Sequence, residues 1–126
     1  MKRIWLAVIL LLVVLTGSVA LFLYTDAQHD HLQEQLQRIH LAAEDEDWGQ
    51  AHRESEQLKE IWSRTDASWT PIMDHRQVDR LDESLTRVGK LVEMRNREEL
   101  LIEIAVAMRT AKRIKETELP SLRNIF

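Results

Sequence analysis

The chain has 126 residues, with 17 Lys and Arg against 21 Asp and Glu, and it has no cysteine. The absence of cysteine excludes disulfides and thiolate metal sites, and the net negative charge disfavours binding to nucleic acid or to an anionic lipid surface. Three glycines and two prolines in the whole chain predict helices rather than strands.

The first predicted element is an uncharged run, residues 4–24. At helical rise this run is about 31 Å long, close to the hydrocarbon thickness of a bilayer. Lys2 and Arg3 precede the run, and the next basic residue is Arg38. Positive charge stays on the cytoplasmic side of a membrane. The sequence therefore predicts a single-pass protein of the cell membrane, with residues 1–25 as a transmembrane anchor with a short cytoplasmic N-terminus and residues 26–126 as an extracytoplasmic helical domain.

A cleaved signal peptide is the alternative interpretation of the same run. Thr25 and Ala27 are small residues that could precede a cut near Gln28. A signal peptide's apolar region is typically about 7–15 residues, however, so the longer run favours a retained anchor. Acylation as a lipoprotein is excluded because there is no cysteine.

Two amphipathic helices are predicted directly after the anchor. No helix breaker separates Tyr24 from Asp26, so the first helix is expected to continue the membrane helix without a stop. An acidic turn, residues 44–47, precedes the second helix, and Asp47 is its predicted cap. The apolar rows are Leu32, Leu36, Ile39 and Ala43 in the first helix, and Trp48, Ala51, Ser55, Leu58 and Trp62 in the second.

Two further helices are predicted after a polar connection at residues 65–70, which Trp69 interrupts. Pro71 is predicted to begin the third helix with Thr70 as its cap, and Asn96 to begin the fourth. The fourth helix is apolar nearly all round, which is typical of a central helix, and Pro120 is expected to close it. The row of the third helix is Ile72, His75, Val78, Leu81 or Asp82, Leu85, Val88 and Val92.

A partial internal repeat links the two halves of the chain. A shift of 49 residues places Asp30 on Asp79, Arg38 on Arg87, and the cap Asp47 on Asn96. Two helical hairpins, each with a short turn, would give this pattern. Chance alignment of two amphipathic helices rich in Leu and Glu is the alternative.

Few residues in the sequence suggest a catalytic or metal-binding role. His75 and Asp79 lie one turn apart and are the candidates for a metal site, yet an imidazole half-buried in the apolar row is the favoured interpretation of His75. His29 and His31 are expected to be solvated. No HExxH, GxSxG or glycine-rich phosphate loop is present, so no enzyme, metal or cofactor is predicted. Trp62 and Trp69 are predicted to fill the core, with ligand stacking as the alternative for Trp69.

Several short motifs occur in a recognisable order. They are Trp62 with Trp69, the run from Asp74 to Asp79, and the ending Asn124, Ile125 and Phe126. In this order the chain resembles an uncharacterised family of small, N-terminally membrane-anchored helical proteins from Gram-positive spore-forming bacteria, a domain of unknown function. The resemblance implies no activity, but it implies that His75, Asp79 and the last three residues matter to the domain.

The sequence as a whole predicts an all-α protein, with one transmembrane helix followed by a small bundle of about four helices in two antiparallel hairpins. The predicted function is a non-enzymatic, membrane-anchored interaction or accessory module on the outer face of the membrane, with another membrane or cell-envelope protein as partner. The alternative is a ligand- or metal-sensing domain centred on His75 and Asp79.

Overall fold

A computed structural model describes the backbone of residues 1–69 and 74–125 and the side chains of residues 1–69 and 74–117. This part of the chain contains four helices and no strand, which confirms the all-α class. The helices are α1 (Lys2–Glu44), α2 (Trp48–Trp69), α3 (His75–Glu93) and α4 (Arg97–Ile125).

Helix α1 is unbroken from the apolar run into the packed bundle, as its lack of breakers predicts. Its most apolar 18-residue window has a mean hydropathy of 2.9, and none of that window is buried, so the helix is long and apolar enough to span a membrane. Burial begins at Thr25, whose hydroxyl donates to the Leu21 carbonyl, and continues along the bundle-facing side of the helix.

The four helices pack in a ring, in which α1 contacts α2 and α4, and α3 contacts the same two helices. Gln35 contacts Glu54 while Gln28 contacts Thr65, so α1 and α2 run in opposite directions. The predicted apolar rows of α1 and α2 form much of the core; only Trp48 is half-buried. The core residues with no exposed surface are Leu32, Leu36, Ile39, Ala43, Ala51, Leu81, Val88, Leu100, Ile104, Ala107, Ala111 and Ile114.

The boundary between α2 and α3 differs from its prediction. The predicted polar connection at residues 65–70 is wrong, because α2 continues to Trp69, with Thr65 and Trp69 buried. A buried threonine and tryptophan keep the helix packed through this polar stretch. Helix α3 begins at His75, and Asp74 caps it by accepting from the Arg76 amide at 2.9 Å. The predicted start at Pro71, its cap Thr70 and Ile72 lie outside the described residues.

Helix α4 also differs from its prediction in two ways. Asn96 is its cap, as predicted, and accepts from the Glu99 amide at 3.3 Å, but the helix continues through Pro120 to Ile125. A proline removes one helical hydrogen bond but its φ fits a helix. The expectation of a central helix is wrong as well, because α4 packs mainly against two neighbours, α1 and α3, as every helix of the ring does, and leaves Ile102 and Val106 exposed.

The two interhelical turns support the repeat. Glu46 (φ 55°) and Arg95 (φ 52°) are both left-handed, and they correspond at the shift of 49 residues. The hydrogen bonds of the turns also correspond, since the Asp47 amide donates to Ala42 and the Asn96 amide to Leu91. Contacts between the helices repeat too: Gln35 donates to Glu54, and at the shifted positions Ser84 donates to Glu103. The two halves therefore share one backbone plan and one pattern of burial.

Candidate functional site in the cleft between α1 and α4

The residues predicted as a possible metal site lie on the surface. His75 and Asp79 are both exposed, and the described residues contain no group of three His, Asp or Glu side chains that could hold a metal ion. The prediction of a half-buried His75 imidazole is wrong because α3 begins at that residue, and packing against the bundle starts one turn later at Val78.

The two predicted tryptophans do come together. Trp62 and Trp69 meet edge to face, with ring centroids 6.1 Å apart, and both are buried. The Trp62 Nε1 donates to Asp82 Oδ1 at 2.7 Å, which ties α2 to α3. Trp69 is 1% exposed, so it fills the core as predicted and cannot serve as a stacking surface in a connection.

The C-terminal candidates Asn124, Ile125 and Phe126 are only partly within the described residues. The backbone of Asn124 and Ile125 belongs to α4, but their side chains lie outside the described part of the chain, as does Phe126 altogether. Their predicted importance stays a prediction.

An open cleft lies between α1 and the middle of α4. Its volume is about 930 Å³, and its lining includes Phe22, His29, Met108, Arg109, Lys112 and Arg113. The two helices run antiparallel here, because Gln33 contacts Met108 while Asp26 contacts Lys115. Phe22 belongs to the apolar run, so the cleft begins where α1 leaves that run and enters the bundle.

The cleft is larger than its counterpart in the repeat. The corresponding groove between α2 and α3 has a volume of about 360 Å³, and the Trp62 indole lines it. The residue that corresponds to Trp62 in the second half is Ala111, and Gln33 corresponds to Asp82. Ala111 has no exposed surface and does not line the cleft, whereas the larger Trp62 side chain reaches the wall of its groove.

A buried histidine lies in this cleft. His29 is 6% exposed, so the expectation that it is solvated is wrong; His31 is exposed, as expected. Gln33 Nε2 donates to the Met108 carbonyl at 2.9 Å and lies 3.3 Å from His29 Nε2. The carbonyl fixes the orientation of the amide, so His29 Nε2 accepts from Gln33 and the proton resides on Nδ1.

The Nδ1–H of His29 is a buried donor that has no hydrogen-bond partner in the part of the chain that the structure describes. The nearest carboxylate oxygen, on Asp30, is 3.6 Å away. Burial lowers the pKa of His29, and the positive charge of Lys115 lowers it further, while Asp30 and Asp26 act in the opposite direction. The imidazole is therefore neutral at neutral pH and offers a hydrogen bond rather than a charge.

Four basic side chains of α4 line the cleft: Arg109, Lys112, Arg113 and Lys115. The net negative charge of the chain did not predict this local positive charge. Lys115 pairs with Asp26 at 2.7 Å and Lys112 with Glu116 at 3.8 Å. Arg109 and Arg113 form no ion pair with any carboxylate in the described part of the chain. They are one helical turn apart on the same side of α4, so the local charge of the cleft is positive.

Sequence reasoning missed this site because it weighed each signal alone. His29 precedes Leu32 by three residues and Leu36 by seven, the spacing of the buried row of α1. Arg109, Lys112 and Arg113 have the spacing of one helix face. Neither pattern indicates that the two faces meet, since the pairing of α1 with α4 is a property of the ring.

Residues 19–125 match the model of a protein family that is described as a domain of unknown function, DUF4363. No curated protein is detectably similar to the chain, and no solved structure is either.

Proposed function

We infer the function of this chain from its own residues and contacts, because it belongs to the DUF4363 family, a domain of unknown function. We propose that it is a non-enzymatic interaction or accessory module, with one membrane span and a bundle of two antiparallel hairpins on the outer face of the cell membrane. Origin in a Gram-positive spore-forming bacterium stays a prediction of the resemblance.

The continuity of α1 supports the membrane part of this proposal. One helix carries both the exposed apolar run and the buried residues from Thr25 onward. A continuous helix transmits position and orientation, whereas a flexible linker would not. The bundle is therefore held at a fixed height and angle above the membrane, which suits docking on a neighbouring protein of the same membrane.

The proposal of a docking partner rests on the outer face of α4. Ile102 is 65% exposed and Val106 is 43% exposed, and the small Ala105 lies between them. At the corresponding positions of α2 the repeat has Arg53, Gln57 and Glu56. The same outward position is thus polar in one hairpin and apolar in the other, although the backbone plan is shared. We propose that this apolar face, Ile102, Ala105 and Val106, packs against the extracytoplasmic part of another membrane protein.

Site-specific photocrosslinking in intact cells tests the docking face. A crosslinker at Ile102 should give one discrete adduct with a membrane protein, and Val106→Glu in the same chain should remove it. A crosslinker at Arg53, the matched position on α2, should give none. Equal adducts at both positions, or an adduct that survives Val106→Glu, would refute the docking face.

The absence of cysteine makes the topology directly measurable. In single-cysteine variants, a membrane-impermeant maleimide should label Glu56→Cys in intact cells but label Lys2→Cys only after lysis. The reverse pattern would place the bundle in the cytoplasm. Labelling of a chain that begins near Gln28 would indicate a cleaved signal peptide.

A further inference from the structure

We infer that the cleft between α1 and α4 binds the phosphate of an anionic phospholipid in the leaflet next to the bundle. This inference rests on the membrane anchor of the proposed function but not on the docking partner. The ligand would place its phosphate among His29, Arg109 and Arg113 and its glycerol and first methylenes beside Phe22.

The first argument is the chemistry of the cleft. Three donor groups in the cleft have no partner among the described residues: the buried Nδ1–H of His29 and the guanidinium groups of the exposed Arg109 and Arg113. A buried donor left without a partner costs free energy, so an acceptor in the cleft would be stabilised there. Phosphate oxygens accept such bonds, and arginine binds phosphate in a bidentate geometry.

The second argument is the position of the cleft. Phe22 lies in the outer end of the apolar run and lines the cleft, while Arg109 lines it farther from the membrane. A phospholipid has the same order of groups, with apolar chains in the membrane and a charged phosphate above them. A soluble anion has no apolar part that would match this order.

The third argument is the comparison of the two halves. Where α4 has Arg109 and Lys112, the corresponding positions of α2 have Glu60 and Ser63. Arg113 corresponds to Arg64, but Arg64 pairs with Glu60 at 3.0 Å, whereas Arg113 has Arg109 at the matched position. The lysines that line the α2–α3 groove are paired as well, Lys59 with Glu56 and Lys90 with Glu93. Among the described residues, arginines without a carboxylate partner therefore occur together with the larger opening, on the α4 side. This coincidence is expected of a binding site and is not required by the shared packing of the two hairpins.

Native mass spectrometry of the full-length protein in detergent tests the inference. Phosphatidylglycerol should be retained in preference to phosphatidylcholine with the same acyl chains. The variant Arg109→Gln/Arg113→Gln should bind phosphatidylglycerol at least about tenfold more weakly, since each basic residue near a lipid surface contributes about 1 kcal/mol. His29→Phe keeps a buried ring without the donor and should weaken retention about fivefold.

The matched control is Arg76→Gln/Arg80→Gln. These exposed arginines lie in the first two turns of α3, at the same end of the bundle but outside the cleft. The control removes the same charge and should retain phosphatidylglycerol like the wild type. Equal losses in both double variants, or no loss in the cleft variant, would overturn the assignment.

Two further outcomes separate the ligand source and the underlying proposal. Displacement of phosphatidylglycerol by millimolar inorganic phosphate would identify a free phosphate site and overturn the lipid assignment; retention supports it. If the wild type shows no preference for phosphatidylglycerol but stays in membranes washed with alkaline carbonate, the lipid site is refuted and the membrane anchor is not. If carbonate releases the wild type from membranes, the anchor of the proposed function is refuted.

Discussion

At the scale of single residues, the buried polar contacts between helices set the register of the bundle. Gln35 Nε2 donates to both the carbonyl and the carboxylate of Glu54, each at 2.7 Å, and Gln50 donates to the other carboxylate oxygen at 2.7 Å. These bonds satisfy a carboxylate on a residue that is only 8% exposed. A one-turn slip of α1 against α2 would leave that group unpaired in the core.

Gln35→Leu should lower the free energy of unfolding by about 2 kcal/mol, because it leaves the Glu54 carboxylate short of a donor. Adding Glu54→Leu should recover part of the loss, since an apolar pair can replace a buried polar pair. Chemical unfolding of the full chain in detergent measures both. The control is Gln37→Leu, at an exposed position of the same helix. If the effects of Gln35→Leu and Glu54→Leu on the free energy of unfolding simply add, the two side chains do not interact and this account is contradicted.

His29 should make stability depend on pH. Burial lowers its pKa in the folded state, so between that value and the ordinary value of 6.5 the unfolded chain binds more protons. The contribution of the neutral imidazole is fully present above about pH 6.5 and is lost as the pH falls below it. The melting temperature should therefore decrease from pH 7.5 to pH 5.5, and less so in His29→Phe. Parallel pH profiles of the two proteins would contradict the burial of His29.

His75→Ala should change the free energy of unfolding by no more than about 0.5 kcal/mol, because the side chain is exposed at the first residue of α3. Zinc and chelator should shift the melting temperature of neither protein. Saturable stabilisation of the wild type alone by zinc would restore the sensing alternative, with a ligand from outside the described residues.

At the scale of helices, α4 has two faces that the sequence does not distinguish. Ile104 has no exposed surface and is a core residue, whereas Ile102 is 65% exposed two residues before it. Both are isoleucines in the same apolar stretch. The difference comes from the ring, in which α4 contacts α1 and α3 but has no helix on its outer side.

The paired variants Ile104→Asp and Ile102→Asp should therefore behave oppositely. An unpaired carboxylate at residue 104 costs several kcal/mol, roughly enough to unfold a small domain. The same change at residue 102 should shift the free energy of unfolding by about 0.5 kcal/mol or less. Circular dichroism melting of the two variants measures the contrast, and equal destabilisation would show that the outer face of α4 is covered.

At the scale of the whole molecule, α1 joins the apolar run to the bundle and sets the distance between them. The helix has no break from Lys2 to Glu44, and the first turn of the bundle follows at its end. The end that carries Tyr24 and Trp69 is thus next to the apolar run, and the acidic turn at residues 44–47 is at the other end. A separation of about 20 residues at about 1.5 Å per residue gives about 30 Å between the two ends.

Energy transfer to acceptors at the lipid surface tests this geometry in reconstituted vesicles. A fluorophore at Ala27→Cys should lie next to the membrane, and one at Glu46→Cys about 30 Å farther out. Ala27→Pro, which interrupts the ladder of α1 at its exposed side, should broaden the second distance. Equal transfer from both positions would mean that the bundle lies flat on the membrane.

The sequence alone determined the helical class, the unbroken α1 and the buried rows, because a helix records its packed face as a repeating spacing of apolar residues. It also contained the repeat, which the shared turns and the correspondence of Gln35 and Ser84 support. Only the tertiary structure decided which apolar faces are covered, because burial depends on how many neighbours a helix has. The tertiary structure also placed His75 at the surface and buried His29 in the cleft between α1 and α4. It also formed the cleft, since the two helices that line it meet only in the ring.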